Sequence, residues 1–372
     1  SSELGDAPIK NWGGSNRDFK KDKSNAINPD TILESQTSKY HCYSCPLGCG
    51  GICKGNFPKG ESHKPEYESV LALSGLALNN DLESVFQMND RLNRAGMETI
   101  SAGATIAFAI ECYERGILTK KDTDGLELTW GNHDAMVALM EKMIARDGFG
   151  DILADGVKIA SEKIGKNSDQ YAMHAGGQEL PMHDSRFDPG FAVHYAVEAT
   201  PGRHTIGSQM YYEIFRLWKK DKSLPGIWLM YRKKSKYKAS EKKAIHAAAC
   251  SKFINVLNGS GGCIFGAQIG LDRVPFFEWI NAATRWDKSP EEYMEIGKRL
   301  QTLKQAFNIK HGIDPKSTKP NPRALGHPQM TEGANRKRKV DVDKMVEDYW
   351  QQFGWNTNTG KPNEEAMKFD SI

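Results

Sequence analysis

The stretch His41–Cys53 constrains this chain more than any other part of its sequence. It reads H-C-Y-S-C-P-L-G-C-G-G-I-C and holds four of the seven cysteines among 372 residues. Spacers of two and three residues between Cys42, Cys45 and Cys49 let neighbouring sulfurs converge on one inorganic centre. A proline and three glycines supply the tight turns that such a loop needs. We therefore predict a short loop folded around zinc or an iron–sulfur cluster.

A later cysteine helps to choose between zinc and iron. Zinc sites of this type usually show a second local pair of cysteines or histidines, and none follows nearby. Cys263, in Asn258-Gly-Ser-Gly-Gly-Cys263, is the later cysteine in a comparably glycine-rich setting. Three ligands from one loop and a distant fourth fit a 4Fe–4S cubane better than zinc. A disulfide interpretation is poor, because nothing marks the chain as secreted.

The composition argues against several classes of protein. Lysine and arginine number 50 against 47 acidic residues, and a net charge of +3 gives no reason to expect a nucleic acid or a membrane as partner. An apolar fraction of 39% and a mean hydropathy of -0.59 are typical of a soluble protein. No apolar run approaches the ~20 residues that span a bilayer. Residues 1–10 lack the features of a signal peptide. Free thiols and the expected cluster favour a reducing cytoplasm, and the missing initiator methionine predicts a fragment or a processed product.

The order of polar and periodic segments divides the chain into three parts. Residues 1–40 are polar and rich in turn formers, and we expect an irregular connector on the surface. Residues 41–172 carry apolar side chains at helical spacing and predict a first helical domain. Residues 173–372 predict a second helical domain, which begins with a glycine- and proline-rich segment that holds four histidines. Because no long alternating pattern precedes residue 173, the predicted fold is mainly α.

The strongest amphipathic pattern lies near the end of the second predicted domain, at 290–313. Apolar side chains recur there on one face, the arrangement of a helix with a core-facing stripe. The members of this face are Tyr293, Ile296, Leu300, Leu303 and Phe307. Clear helical patterns also cover 70–78, 82–92, 99–116, 133–146, 152–164, 247–257 and 342–353.

The cysteine loop, read together with other motifs, resembles a known family. Cys42-Tyr-Ser-Cys-Pro-Leu-Gly-Cys49 looks like the cluster loop of the tungsten-containing aldehyde:ferredoxin oxidoreductases. The similarity covers nearly the whole chain from about Pro8 onward, with motifs in the same order. The matching segments are 65–68, 98–104, 125–131, 148–156, 178–184, 201–204, 303–308 and 348–355.

The resemblance implies a fold and a set of cofactors. The family has an N-terminal β-rich domain over one side of the cofactor, followed by two mostly helical domains. Only the helical part is expected here, with the β domain absent from this chain or supplied by another. The implied cofactors are a tungsten (or molybdenum) bis-pterin and a neighbouring 4Fe–4S cluster. The cluster ligands would be Cys42, Cys45, Cys49 and Cys263.

Two family motifs of the form Asp-x-x-Gly-Leu-Cys/Asp bind the pterins, one in each helical domain. They correspond here to Asn93–Glu98 and Asn258–Cys263, with asparagine in place of both aspartates and Gly262 in place of the second leucine. Asparagine cannot accept two hydrogen bonds as a carboxylate does, so the pterin contacts must differ in detail. A helix C-cap is the alternative for Gly96. The residues implied to bind the cofactor are Asn93, Gly96, Met97, Glu98, Arg203, Asn258, Gly261 and Gly262.

The resemblance also implies residues that handle protons. Glu66, which with Glu68 flanks Tyr67, best matches the active-site glutamate of the family, and His204 matches a histidine near its metal. Burial can tune a carboxylate and an imidazole to exchange protons near neutral pH. The implied reaction is the two-electron oxidation of an aldehyde to a carboxylic acid. The electrons would leave through the cluster to ferredoxin or to another iron–sulfur electron-transfer subunit.

Three alternatives stay open. Cys53 is an extra thiol, which is either a small buried residue or a metal ligand. As a metal ligand it would favour the tungsten subunit of ATP-independent benzoyl-CoA reductases, which acts on an acyl-CoA. The asparagine substitutions and the missing β domain are compatible with a non-catalytic iron–sulfur electron-transfer subunit without pterins. A zinc-binding helical module is the third alternative. The Glu-x-x-His motif of family members that dimerise through a shared metal is missing at 85–90, so a homo-oligomer is allowed but no shared metal is expected.

Metal analysis distinguishes these interpretations. Protein purified without oxygen should contain about four iron atoms per chain, together with tungsten or molybdenum and pterin. Iron without tungsten, molybdenum or pterin would favour the electron-transfer subunit, and zinc without iron would contradict the cluster assignment altogether.

Overall fold

A computed structural model of the chain describes residues 2–227, 239–364 and 367. Within these ranges helices make up most of the regular structure, whereas the strands are few and short. The prediction of a mainly α fold is confirmed. Every described helix is too short or too polar to cross a lipid bilayer.

The chain forms two units, each with its own packing. The sequence predicts that the second helical domain begins at residue 173, whereas the second unit begins at Asp188, and the predicted boundary stays a prediction. The first unit consists of Ser1–Phe187 and Asn321–Arg338, and the second of Asp188–Pro320 and Lys339–Ile372.

Helix α5 (Thr99–Glu114) lies at the centre of the first unit. Its surface of alanine, isoleucine and phenylalanine is buried almost all round, as is typical of a core helix. Gly103 lets it approach α3 closely, because a Cβ at this position would lie 2.4 Å from the carbonyl oxygen of Ala72. The other helices of the unit are α1 (Lys21–Asn25), α2 (Pro29–Glu34), α3 (Tyr67–Leu73), α4 (Leu82–Ala95), α6 (His133–Ala145), α7 (Phe149–Leu153) and α8 (Val157–Ile164).

The first forty residues differ from the predicted surface connector. Ile9, Trp12 and Phe19 are almost fully buried in the first unit. The side-chain amide of Asn11 fixes this segment, since it donates to Glu111 Oε2 at 2.7 Å and to the backbone oxygen of Tyr171 at 2.9 Å. The polar composition misleads here because the segment is held by hydrogen bonds from a few polar residues to distant partners.

A three-stranded antiparallel sheet in the first unit was not predicted. Tyr40 pairs with Gly50 and Lys39 with Gly51, so that the cysteine loop is the connection between the first two strands. The first strand is polar and the second begins with two glycines, and neither shows the alternation by which a strand is recognised. The strands are β1 (Gln36–Tyr40), β2 (Gly50–Lys54) and β3 (Glu61–His63), and a separate pair is formed by β4 (His174–Ala175) and β5 (Gln178–Glu179).

The second unit is built around α11 (Glu241–Gly259), which packs against α14 (Pro290–Lys310) and α15 (Asp343–Gln352). Aromatic side chains fill much of its core, with Tyr212, Phe215, Phe253 and Tyr293 all buried. The other helices are α9 (Pro189–Val197), α10 (Gln209–Phe215), α12 (Ile264–Ala267), α13 (Phe276–Thr284), α14 (Pro290–Lys310) and α15 (Asp343–Gln352).

A buried carboxylate connects four helices of the second unit. Glu198, directly after α9, accepts hydrogen bonds from Ser251, from Gln301 Nε2 at 2.8 Å and from the Tyr349 hydroxyl at 3.2 Å. His194 Nδ1 lies 3.2 Å from the same carboxylate. Burial alone would raise the pKa of Glu198, but these partners hold it below its usual value. The charge is therefore kept inside the unit by complete hydrogen bonding.

Helix α14 is rotated away from the predicted orientation. Tyr293 is buried as expected, but Leu303 is 53% exposed and Phe307 is 60% exposed. The buried face instead carries Gly297 and Gln301. Gly297 lies against the backbone of α11, and Gln301 bonds to Glu198. Close approach and polar contacts thus decide the rotation, and the prediction of one inward apolar stripe is wrong for this helix.

The contact at Gly297 gives a test of the packing. A Cβ there would lie 2.0 Å from the carbonyl oxygen of Lys252, so Gly297→Ala should push α14 from α11 and destabilise the protein by about 1–3 kcal/mol. Gly266→Ala is the matched control, because nothing lies within 4 Å of a Cβ on that helical glycine. Thermal unfolding followed by circular dichroism should show a lower Tm for the first variant only; equal values would contradict the close approach.

Candidate functional site

The predicted cluster loop is a compact turn between β1 and β2. The backbone N–H of Cys45 donates to the Cys42 carbonyl at 3.0 Å, which closes the first turn around the thiols. Gly48 takes a left-handed conformation with φ +58°, which glycine adopts at little cost. Lys64 Nζ donates to the Cys49 carbonyl at 3.0 Å and places a positive charge beside the loop. Cys42, Cys45 and Cys49 thus lie on one short connection between β1 and β2.

Exposure separates the seven cysteines into two groups. Cysteine is usually buried, and Cys53, Cys112 and Cys250 are fully buried here. Burial raises the pKa of the Cys112 thiol to about 12 and also raises that of Cys53, against a smaller opposing effect of Lys64. These three side chains are suited to be neutral packing groups. The four predicted ligands are the exposed or half-buried ones, Cys42, Cys45, Cys49 and Cys263.

The first pterin motif lies at the junction of α4 and α5. Gly96 ends α4 with φ +70°, and the N–H of Met97 returns to the Leu92 carbonyl at 3.0 Å. Glu98 begins α5, since its carboxylate accepts from Ile100 N at 3.0 Å and Ser101 N at 2.6 Å. The helix-cap interpretation of Gly96 therefore describes its local geometry. Pterin binding by this motif stays a prediction, with the exposed Asn93 at its start.

The second pterin motif lies at the junction of α11 and α12. The N–H of Gly262 donates to the Leu257 carbonyl at 2.7 Å, and Gly261 has φ +76°. A Cβ on Gly262 would lie 2.4 Å from Leu257 Cδ1, which accounts for glycine in place of the leucine of the family. Asn258 is exposed in the last turn of α11, and Cys263 begins α12. Cys263 belongs to the second unit, and its role as fourth ligand stays a prediction.

The structure favours Glu68 over Glu66 as the proton-handling carboxylate. Glu66 is exposed at the start of α3. The Glu68 side chain is only 14% exposed, with Oε2 accepting from the Met182 N–H at 2.7 Å. Burial raises the pKa of Glu68 to about 7, although His183 opposes the rise. Because a group with this pKa changes protonation near neutral pH, the carboxyl of Glu68 fits the chemistry predicted for Glu66.

His183 is a neighbour of Glu68 that the sequence interpretation did not assign. Its Nε2 lies 3.4 Å from Glu68 Oε1 and its Nδ1 lies 3.1 Å from Asp6 Oδ1. The sequence signal for a functional role of His183 is weak, because it is one of four histidines in the turn-rich segment that opens the second predicted domain. His204 is half-buried and Arg203 exposed, both in the second unit.

A cavity of about 790 Å³ opens beside Glu66 and Tyr67 in the first unit. Its walls are largely apolar, with Ile9, Phe19 and Ile32 among the side chains that line it. This volume is within the range of small-molecule sites in proteins, roughly 300–1,000 Å³. The cavity can therefore accept an apolar organic molecule of moderate size.

A family model described as aldehyde ferredoxin oxidoreductase, domains 2 and 3, matches residues 1–369. The chain belongs to the aldehyde ferredoxin oxidoreductase family. The resemblance seen in the motifs is thereby confirmed. Tungsten-containing aldehyde ferredoxin oxidoreductases of Pyrococcus horikoshii and Pyrococcus abyssi are 33% and 32% identical over 344 residues, which cover 90% of this chain and 54% of each relative. The chain thus spans about half the length of these relatives.

One solved structure shares the fold of this chain. It is the active-site complex of benzoyl-coenzyme A reductase with 1,5-dienoyl-CoA, whose matching chain is 20% identical. The match covers 98% of this chain and 57% of the other, with a TM-score of 0.73. At this identity the likeness shows the arrangement of the helices and not the substrate.

The protonation of Glu68 can be measured directly. Infrared difference spectra of protein labelled with ¹³C in the glutamate carboxyl groups should show a protonated band that disappears with a midpoint near pH 7. Glu68→Gln should remove this band, whereas the exposed control Glu66→Gln should leave it in place. A Glu68 midpoint near the ordinary value of about 4.3 would show that its surroundings do not raise the pKa.

Proposed function

We propose that this chain carries the helical domains of a tungsten (or molybdenum) oxidoreductase that oxidises an aldehyde to a carboxylic acid. The family match supports the class of enzyme. The observation that carries the proposal is the cysteine loop, in which the three thiols of the family motif remain accessible while the cysteines outside the motifs are buried. Ferredoxin or another iron–sulfur electron-transfer subunit would accept the electrons, in a reducing cytoplasm that keeps such thiols free.

The residues present are suited to hold the implied cofactors. Cys42, Cys45 and Cys49 would bind three corners of a 4Fe–4S cluster, with Cys263 as the fourth ligand. The glycine turns at both pterin motifs leave exposed backbone that a flat ring system can approach. When bound, the metal–pterin group supplies a two-electron acceptor, and the cluster supplies a one-electron exit. The residues proposed to bind the pterins are Asn93, Gly96, Met97, Glu98, Arg203, Asn258, Gly261 and Gly262.

The side chains of the chain itself would manage protons. Oxidation of an aldehyde consumes water and releases two protons with the two electrons. Glu68, with a pKa of about 7, is suited to accept one of these protons at neutral pH. His204, by its position in the motif Gly202-Arg-His204, would donate a hydrogen bond to the carbonyl oxygen of the substrate. The apolar cavity beside Tyr67 would accommodate the organic part of a small carbonyl compound.

The alternative of an acyl-CoA reductase is the second candidate function. It depends on Cys53 as a metal ligand, and this thiol is fully buried in β2. The aldehyde ferredoxin oxidoreductases are the more similar relatives, at 32–33% identity against 20% for the benzoyl-CoA reductase chain. The aldehyde reaction is therefore the better proposal, and benzoyl-CoA is the substrate that tests the alternative. A non-catalytic electron-transfer subunit is distinguished by the metal analysis described above.

Activity of the metal-loaded enzyme tests the proposal. Oxidation of an aldehyde with a viologen dye as electron acceptor should fall by about 10²–10⁴-fold in His204→Ala, because the carbonyl loses its hydrogen-bond donor. The visible absorbance of the iron–sulfur cluster should be unchanged. Glu127→Gln, whose side chain is 65% exposed and lies outside the cavity lining, is the control and should retain activity. Turnover of benzoyl-CoA or dienoyl-CoA without aldehyde oxidation would overturn the proposal, as would full activity of His204→Ala.

A further inference from the structure

Three side chains of the first unit form a row, with one imidazole between two carboxylates. Glu68 Oε1 lies 3.4 Å from His183 Nε2, and Asp6 Oδ1 lies 3.1 Å from His183 Nδ1. Tyr67 contacts two members of this row. Its hydroxyl donates to Asp6 Oδ2 at 3.1 Å, and its ring stacks on the imidazole of His183 with centroids 5.2 Å apart. Both imidazole nitrogens thus have a carboxylate neighbour, and one face of the ring is covered.

This arrangement determines where the protons lie. Asp6 is positioned to accept the Nδ1–H of His183, which leaves Nε2 facing Glu68 Oε1 at 3.4 Å. Burial raises the pKa of Glu68; His183 and the N–H of Met182 lower it, and the charges of Asp6 and Glu98 raise it further. A proton on Glu68 therefore has Nε2 as a neighbouring acceptor. A carboxylate on the distal nitrogen is the known means of fixing a tautomer and stabilising imidazolium.

We propose that His183 is a second proton carrier, which takes the proton from Glu68 at Nε2 while Asp6 and Tyr67 position the imidazole. This inference rests on the proposed function, in which Glu68 first receives a proton from the reaction. In the transfer the O–H bond of Glu68 breaks and an N–H bond forms at Nε2, with no movement of electrons. Asp6 stabilises the resulting imidazolium, and Tyr67 holds Asp6 through its second oxygen. Asp6 and Tyr67 are positioning residues, since they act through His183.

The row gives the buried carboxyl of Glu68 an acceptor for its proton in each turnover. Glu68 must lose each proton before it can accept the next, and its 14% exposed side chain has little direct access to water. An imidazole whose Nε2 lies 3.4 Å from the carboxyl oxygen is placed to accept this proton. Asp6 and His183 are 177 positions apart in the sequence, so a tertiary contact and not a local turn creates the pair.

Nuclear magnetic resonance can test the inference without any metal. Long-range ¹H–¹⁵N spectra of the full chain give the protonation of each imidazole, and His183→Gln assigns the signals of His183. We expect a protonated Nδ1, because Asp6 accepts from it, and a protonation of Nε2 that changes with pH. Asp6→Asn should lower the His183 midpoint by about one pH unit or more. Tyr67→Phe keeps the ring stack and should give a smaller shift in the same direction. In His183→Gln the infrared midpoint of Glu68 should rise, because a neighbour that lowers its pKa is lost.

A second histidine of the same unit provides the control. His174 is half-buried and accepts a hydrogen bond from the Gly177 N–H, so His174→Gln should leave the His183 and Glu68 midpoints unchanged. An Nδ1 without a proton, or equal His183 midpoints in wild type and both positioning variants, would overturn the inference. In the loaded enzyme, His183→Gln should lower kcat by about 10²-fold with little change in KM. If no variant and no wild-type preparation oxidises aldehydes, the proposed function fails while the spectra still decide the role of His183.

Discussion

The carboxylate of Glu111 holds together parts of the first unit that lie far apart in the sequence. It lies fully buried on α5, where Arg323 binds it through both terminal nitrogens at 2.7 and 3.0 Å. Asn11 donates to the same group, and Arg115 adds a further ion pair. Since a buried charge is tolerated only when it is fully paired, these partners cannot be removed singly without large cost. Through Asn11 the contact also fixes the segment that carries Asp6.

Buried carboxylates of this chain behave differently according to the donors around them. Glu198 in the second unit has several hydrogen-bond partners and a lowered pKa, so it stays charged and structural. For Glu68, burial is the largest effect and raises its pKa to about 7, although His183 and the Met182 N–H oppose the rise. The same chemical group is thus a fixed anion in one place and a titrating acid in the other. The balance between burial and hydrogen bonding decides between these roles.

Local sequence patterns predict the parts of this fold that depend on neighbours in the chain. The spacing of the cysteines predicts a short connection that carries Cys42, Cys45 and Cys49, and helical periodicity predicts α4, α5 and α6 to within a few residues. No local pattern distinguishes Glu66 from Glu68, because two positions at the start of a helix differ only in what packs against them. Pairing of Asp6 with His183, and the rotation of α14 by Gly297 and Gln301, depend on distant contacts that no local pattern records.

The openness of the cysteine loop has a consequence for work with the purified chain. Tyr43, next to Cys42, is fully exposed, and Cys42 and Cys49 on the same connection are exposed as well. Accessible thiols oxidise readily to sulfenic acids and mixed disulfides when dioxygen is present. The purified chain handled in air would therefore cross-link covalently between molecules, and such damage would persist until a reductant restored the thiols.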